Sequence, residues 1–148
     1  MKYLRKIFEN TTQDELQDLC DSYFPYLYDE GFEIRISTGR FNITVMNTQK
    51  HPESGHLIVT LGMPGPSSRF VPFSWDQVKD YYIPFLQILV RRYELILDPV
   101  QSSTNGYVGF NTEMGMKYLS LDQVINDKVE RVLGCRIWNI HIRIVDKI

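Results

Sequence analysis

Cysteine is scarce in this chain of 148 residues: there are two, Cys20 and Cys135. Two thiols cannot form the framework that staples small secreted domains, and Cys20 falls within an apolar helical pattern, so a reducing cytosol is the simpler setting. Histidine is nearly as rare. His51, His56 and His141 are the three, and no cysteine pair with ligand spacing, His-x-x-x-His or His-Glu-x-x-His occurs, so a structural zinc site has no sequence support. No apolar run approaches the roughly 20 residues of a membrane-spanning helix, and the opening MKYLRKIFEN is too interrupted by polar residues for a signal-peptide core. An excess of one charge is missing as well. Sixteen basic and 18 acidic residues leave a net charge of −2, which provides no global field to gather nucleic acid or an anionic membrane. A phosphate-cradling loop is absent, because GMPGP (62–66) has prolines where free amides are needed. Neither Ser67-Ser68 nor Cys135 has the context of an activated nucleophile. No catalytic residue and no cofactor are implied.

Aromatic residues, by contrast, are plentiful. Nine Tyr, eight Phe and two Trp make up 13% of the chain and bring large areas to bury, with polar handles on Tyr and Trp. A chain of this length hides about 70% of its unfolded surface on folding, so residues 1–148 are expected to form one domain around one core.

The periodicities assign the elements. Thr12 followed by Glu15 reads as a capping box, and Leu16, Leu19, Cys20, Tyr23 and Leu27 then share a helical face. Pro25 predicts a kink or an end near Phe24, and Gly31 a stop. FEIRIS (32–37) and RFNITVM (40–46) alternate strictly around Thr38-Gly39, predicting a hairpin, and HLIVTLGM (56–63) is apolar enough for a central strand. A helix follows Ser74, with Trp75, Val78, Tyr82, Phe85 or Leu86, Leu89 and Tyr93 on its core side and a bend at Pro84. A short strand near 95–98 leads into a long connection, with 107–110 as a brief strand within it. A third helix spans 121–133 and ends at Gly134. Last, RIWNIHIRIV (136–145) alternates, with Trp138, Ile140, Ile142 and Ile144 on one side and Asn139, His141 and Arg143 on the other. Together these predict an α+β domain of two layers, a mainly antiparallel sheet packed by about three helices.

Ser-x-Asp-Gln-Val occurs twice, at 74–78 and 120–124. Serine at the cap, glutamine three residues on and aspartate in the first turn form a helix-start phrase, so the echo needs no shared function.

Two surfaces carry the chemistry that remains. If the first two strands adjoin the last, Arg35, Arg40, Asn42, His141 and Arg143 line one sheet face, with Arg69 reaching it from the proline loop, and such donors suit phosphate or carboxylate. The plainer reading is a solvated polar face. Since the aromatics alternate inward, the face does not read as a base-stacking platform, and nucleic acid is not the expected partner. On the helices, Tyr23, Phe24, Tyr26, Tyr28, Tyr81 and Tyr82 spread over more than one stripe, leaving a surplus for a partner or a homo-oligomer. His56 and His141 invite comparison with two-histidine phosphoesterases, but Thr60 is one strand step too far and Arg143 stands where a second hydroxyl belongs.

The opening MKYLRKIFEN, DEGFEIRIS (29–37) and FSWDQVKDYYIPFLQIL (73–89) resemble small accessory proteins of tailed bacteriophages, which often begin Met-Lys-Tyr-Leu or Met-Lys-Tyr-Ile and contain a Trp-Asp-x-Ile/Val-Lys helix start. The resemblance covers about a third of the chain, with a longer proline loop and a longer 98–116 connection than that group shows. It implies an accessory protein in the cytosol of an infected bacterium, binding a host protein or sequestering a small anionic ligand, with inhibition of host defence as one role. A self-associating virion or assembly component is the alternative, and a phosphoester-processing enzyme using His56 and His141 the third.

Overall fold

Helix formers and the absence of any glycine or proline before Pro25 set the first element. In the computed structural model, which describes residues 2–39, 56–66, 69–96 and 107–146, helix α1 runs unbroken over Lys2–Tyr23. The helix expected to begin at Thr12 is therefore already under way there, and Thr12 lies inside it and not at its start. Leu16, Cys20 and Phe24 recur every four residues and are fully buried. Pro25 has no amide to donate; α1 stops at Tyr23, and α2 (Pro25–Asp29) starts with that proline in its first turn. Gly31, at φ +101°, takes the left-handed turn, and the Phe32 amide donates back to the Leu27 carbonyl at 2.9 Å.

The strands are β1 (Glu33–Gly39), β2 (His56–Pro64), β3 (Phe70–Val71), β4 (Tyr93–Ile96), β5 (Tyr107–Thr112), β6 (Gly115–Ser120) and β7 (Ile137–Asp146). Six form one antiparallel sheet in the order β1-β2-β7-β5-β6, with β4 also on β7, while β3 pairs only the end of β2. As expected, β2 is central. The partner of β1 is β2, Glu33 facing Gly62, and the expected hairpin arm at 40–46 lies outside the described residues. The long connection after α3 (Trp75–Arg92) holds more order than its polar composition promised, because β5 and β6 form a hairpin there around Gly115 at φ +103°. Both β4 and β5 pair the edge of β7 that faces away from β2: Ile96 is opposite Arg143 and Gly109 opposite His141.

All helices contribute to one core on one side of the sheet. Trp75, Val78, Tyr82, Phe85, Leu86 and Leu89 of α3 are buried, and the helix continues through Pro84. Phe24 and Phe85 approach to 4.8 Å and Trp75 meets Phe110 edge-on at 6.0 Å; such pairs add about 0.5–1.5 kcal/mol each beyond burial. The Tyr82 hydroxyl is buried without a hydrogen-bond partner, and burial raises its pKa. Burial likewise pushes the Cys20 thiol up to about 12, so it is an inert core group.

Two expectations need correction. Between Asn111 and Thr112 the β5–β7 register shifts, so that Thr112 faces Ile137 and Asn111 faces Asn139, leaving Trp138 as the extra residue of a bulge. Ile137, fully buried, therefore takes the inward place expected for Trp138, which is half-buried. The helix expected over 121–133 is two short ones, α4 (Leu121–Ile125) and α5 (Val129–Leu133). Between them Asp127 adopts φ +56°, a left-handed conformation rare outside glycine, and its carboxylate accepts from Trp75 Nε1 at 2.7 Å and from Lys79 Nζ at 3.4 Å. That break clasps the start of α3.

The repeated pentapeptide has a full physical account. Ser74 and Ser120 both stand at helix N-caps as capping boxes, with their amides donating to Gln77 Oε1 and Gln123 Oε1 at 2.9 and 3.0 Å. At Ser120 the forward arm is also in place, Gln123 N–H to Oγ at 3.3 Å. The residue before each serine, Phe73 or Leu119, is buried, as is the valine four after it, Val78 or Val124. Apolar residues at those two positions are the hydrophobic staple that fixes how the chain enters a helix.

Candidate functional site

The side of the sheet opposite the helices is built by the same alternation. In β2, Leu57, Val59 and Leu61 are buried under the helices while Ile58 and Thr60 look the other way and stay partly exposed. Register then lines up a row across five strands on this face, bare of helices among the described residues: Arg35, Thr60, His141, Gly109, Tyr118. Beside it runs a second row, Glu33, Gly62, Asn139, Asn111, Met116, and Arg143 lies next to Ile58 on the other flank.

Glycine makes the face flat in two places. A Cβ on Gly109 would sit 2.3 Å from His141 Nε2, and one on Gly62 would sit 2.3 Å from the Phe70 ring, so each glycine is the slot in which a neighbour's ring lies. Tyr118 then meets His141 edge-on at 6.1 Å, and the Arg35 guanidinium stands over Phe70 at 5.4 Å. Arg35 also holds Glu33 at 3.3 Å, an exposed pair of small energetic weight. Thr60 is the short side chain between the Arg35–Phe70 stack and the His141–Tyr118 pair.

Charge is divided between the two sides. On this face Glu33 is engaged by Arg35, and register puts Glu94, opposite Val145, on the same side as Arg143, whereas α1 and α2 carry Asp14, Glu15, Asp18, Asp21 and Asp29, with Glu30 at the end of α2. Burial, and then the neighbouring Arg143 cation, lower the pKa of His141, so the imidazole is neutral near pH 7. A neutral imidazole offers one N–H donor and one acceptor nitrogen.

The residues predicted for the site are thus partly brought together. Arg35, His141 and Arg143 share the bare face. Arg69 is exposed at the entry to β3, next to Phe70, and its carbonyl accepts from the Gly65 amide at 2.7 Å. Arg40 lies outside the described residues. Tyr81 belongs elsewhere: on α3 it stacks against Tyr26 at 5.3 Å, within the helical layer. The Tyr26 hydroxyl bonds Glu30, which raises its pKa. His56 and His141 are not neighbours in the sheet: His141 pairs with Thr60, four positions along β2 from His56, or about 13 Å at strand rise.

Sequence reasoning missed Phe70 and Tyr118, having placed the aromatics inward. The signal for Tyr118 was GMKYLS itself, where reading a strand after Gly115 puts Met116 and Tyr118 opposite Leu119. Phe70 reaches the face from a two-residue strand that no periodicity could announce.

These features define an α+β domain with a helix-covered and a bare sheet face. No helix among the described residues is long and apolar enough to cross a membrane, and none of their acidic, histidine or cysteine side chains group as metal ligands. No family model, curated protein or solved structure matches the chain.

Proposed function

We propose that this chain is a non-enzymatic binding protein, a phage-encoded accessory factor of the infected bacterial cytosol, that sequesters a small anionic ligand on the bare sheet face and so blunts a host defence dependent on that ligand. One observation carries the reading: register sets two arginines, Arg35 and Arg143, on the same sheet face as Thr60 and a neutral His141. Guanidinium groups give a phosphate or carboxylate charge-assisted hydrogen bonds, and the Thr60 hydroxyl and His141 N–H can direct them. The sheet fixes their spacing. An anion here would offset the Arg143 field and raise the His141 pKa toward its ordinary value.

The test is an NMR titration with inorganic phosphate as the probe. Resonances of Thr60, His141 and Arg143 are expected to move together, His141 to titrate at higher pH, and Arg143→Ala to weaken binding about tenfold or more, as loss of a charged hydrogen bond does. Shifts scattered over the surface, or an unaltered His141 titration at saturation, would remove the reading.

A host protein is the second reading, favoured by the Tyr26–Tyr81 stack, where Tyr26 is 53% exposed beside Asp29 and Glu30. Aromatic area ringed by acids suits a basic partner. Tyr26→Ala would abolish that interaction and leave the phosphate response intact.

A further inference from the structure

We propose that β6 is a dimerisation edge, taking β6 of a second copy in antiparallel pairing about a two-fold axis through Tyr118. Its pairing with β5 is unbroken from Tyr107 opposite Ser120 to Thr112 opposite Gly115, and no other strand pairs it among the described residues. Natural edge strands are blunted by proline, bulges, charge or brevity. β6 has six residues, neither proline nor bulge, and one charge, Lys117. Exposed apolar side chains gather at this hairpin: Met114, Met116 and Tyr118 are 73%, 48% and 44% exposed, three of the six large exposed apolar residues among those described.

A second copy is the occupant this edge fits, because a two-fold axis maps an antiparallel strand pair onto itself and one surface serves both partners. Register selects the axis. To keep each side chain on its own face the axis must pass through a residue. Through Lys117 it would set two like charges directly opposite each other, which is destabilising. Through Met116 it would push the paired segment into the turn at 113–114. Through Tyr118 it pairs Tyr118 with its copy, Lys117 with Leu119 and Met116 with Ser120, so the paired segment ends where Gln123 already holds the Ser120 amide. The bare faces of the two copies then become one continuous sheet surface. This association needs no ligand and stands apart from anion binding.

Sedimentation velocity at roughly 100 µM, above the Kd of a micromolar complex, is expected to give the mass of two chains, retained in Tyr118→Phe and halved in Tyr118→Glu, which places two carboxylates on the axis. Circular dichroism establishes that Tyr118→Glu is folded. Should it not be, cross-linking decides: in a Cys135→Ser background, Tyr118→Cys forms a disulfide-linked dimer, since facing strand positions lie within disulfide range, and Lys117→Cys does not. A single-chain mass, a dimer unmoved by folded Tyr118→Glu, or linkage through Lys117→Cys instead overturns the proposal.

Discussion

On the covered face of β2, Leu57, Val59 and Leu61 are at most 7% exposed beneath the helices, while one residue away Ile58 and Thr60 reach solvent. Aromatic rings serve opposite purposes on these two sides. Phe24, Tyr82 and Phe85 interlock at 4.8 to 6.3 Å, so their area is spent on holding the fold. Across the sheet, Phe70 and the imidazole of His141 lie flat in glycine slots and Tyr118 stands at their margin, so rings are presented without being consumed in a core. The difference teaches that the side of the sheet a ring reaches decides whether it stabilises or is offered to a partner, with a glycine giving the offered ring its slot.

The comparison can be broken or sharpened by substitution. Phe85→Ala should cost about 3–5 kcal/mol in urea unfolding, the usual range for emptying a buried aromatic site; a loss below that range would mean the helical side is not the seat of stability. Asp127→Ala removes the acceptor of the Trp75 indole bond at 2.7 Å and should cost about 1–3 kcal/mol, with a change in Trp75 fluorescence. Gly109→Ala acts on the bare face. The new methyl displaces the His141 ring, yet the gain in strand entropy offsets part of the strain, so the net loss should be about 1 kcal/mol. The His141 and Tyr118 resonances should nevertheless move strongly, giving a large local signal with a small global one.

The smallest effect is that of pH. The folded protein depresses the His141 pKa below 6.5, so it binds fewer protons than the unfolded chain in that window. His141 should therefore leave stability undiminished above pH 6.5 and reduce it progressively as pH falls from 6.5 through the folded value. Thermal unfolding on either side of 6.5 measures the slope, and His141→Asn should flatten it.

Much of the architecture was legible because period and capping chemistry agree with the final packing. The alternation of 136–145 marked β7, the run from Trp75 to Tyr93 marked α3, and the two serine-led phrases marked the starts of α3 and α4. What was hidden had competing causes. The bulge at Trp138 shifts phase by one residue, which alternation alone cannot show. Asp127 breaks a helix without being glycine or proline, because a tertiary bond to Trp75 holds it there. β6 was read as loop since Gly115 and the polar segment before it resemble a connection. Of the candidate site, Arg35, His141 and Arg143 were visible as outward positions, but their meeting depends on β7 lying beside β2. Tyr81 was legible as part of the helical surplus, but its stacking on the exposed Tyr26 depends on how α2 and α3 pack and not on either helix's own period.

The placement of β4 and β5 has one more implication. Both grip the same rim of β7, with β2 on the other, so the last strand of the chain is clamped on two sides by segments distant from it and from one another in sequence, and β7 can leave the sheet only by breaking three pairings at once.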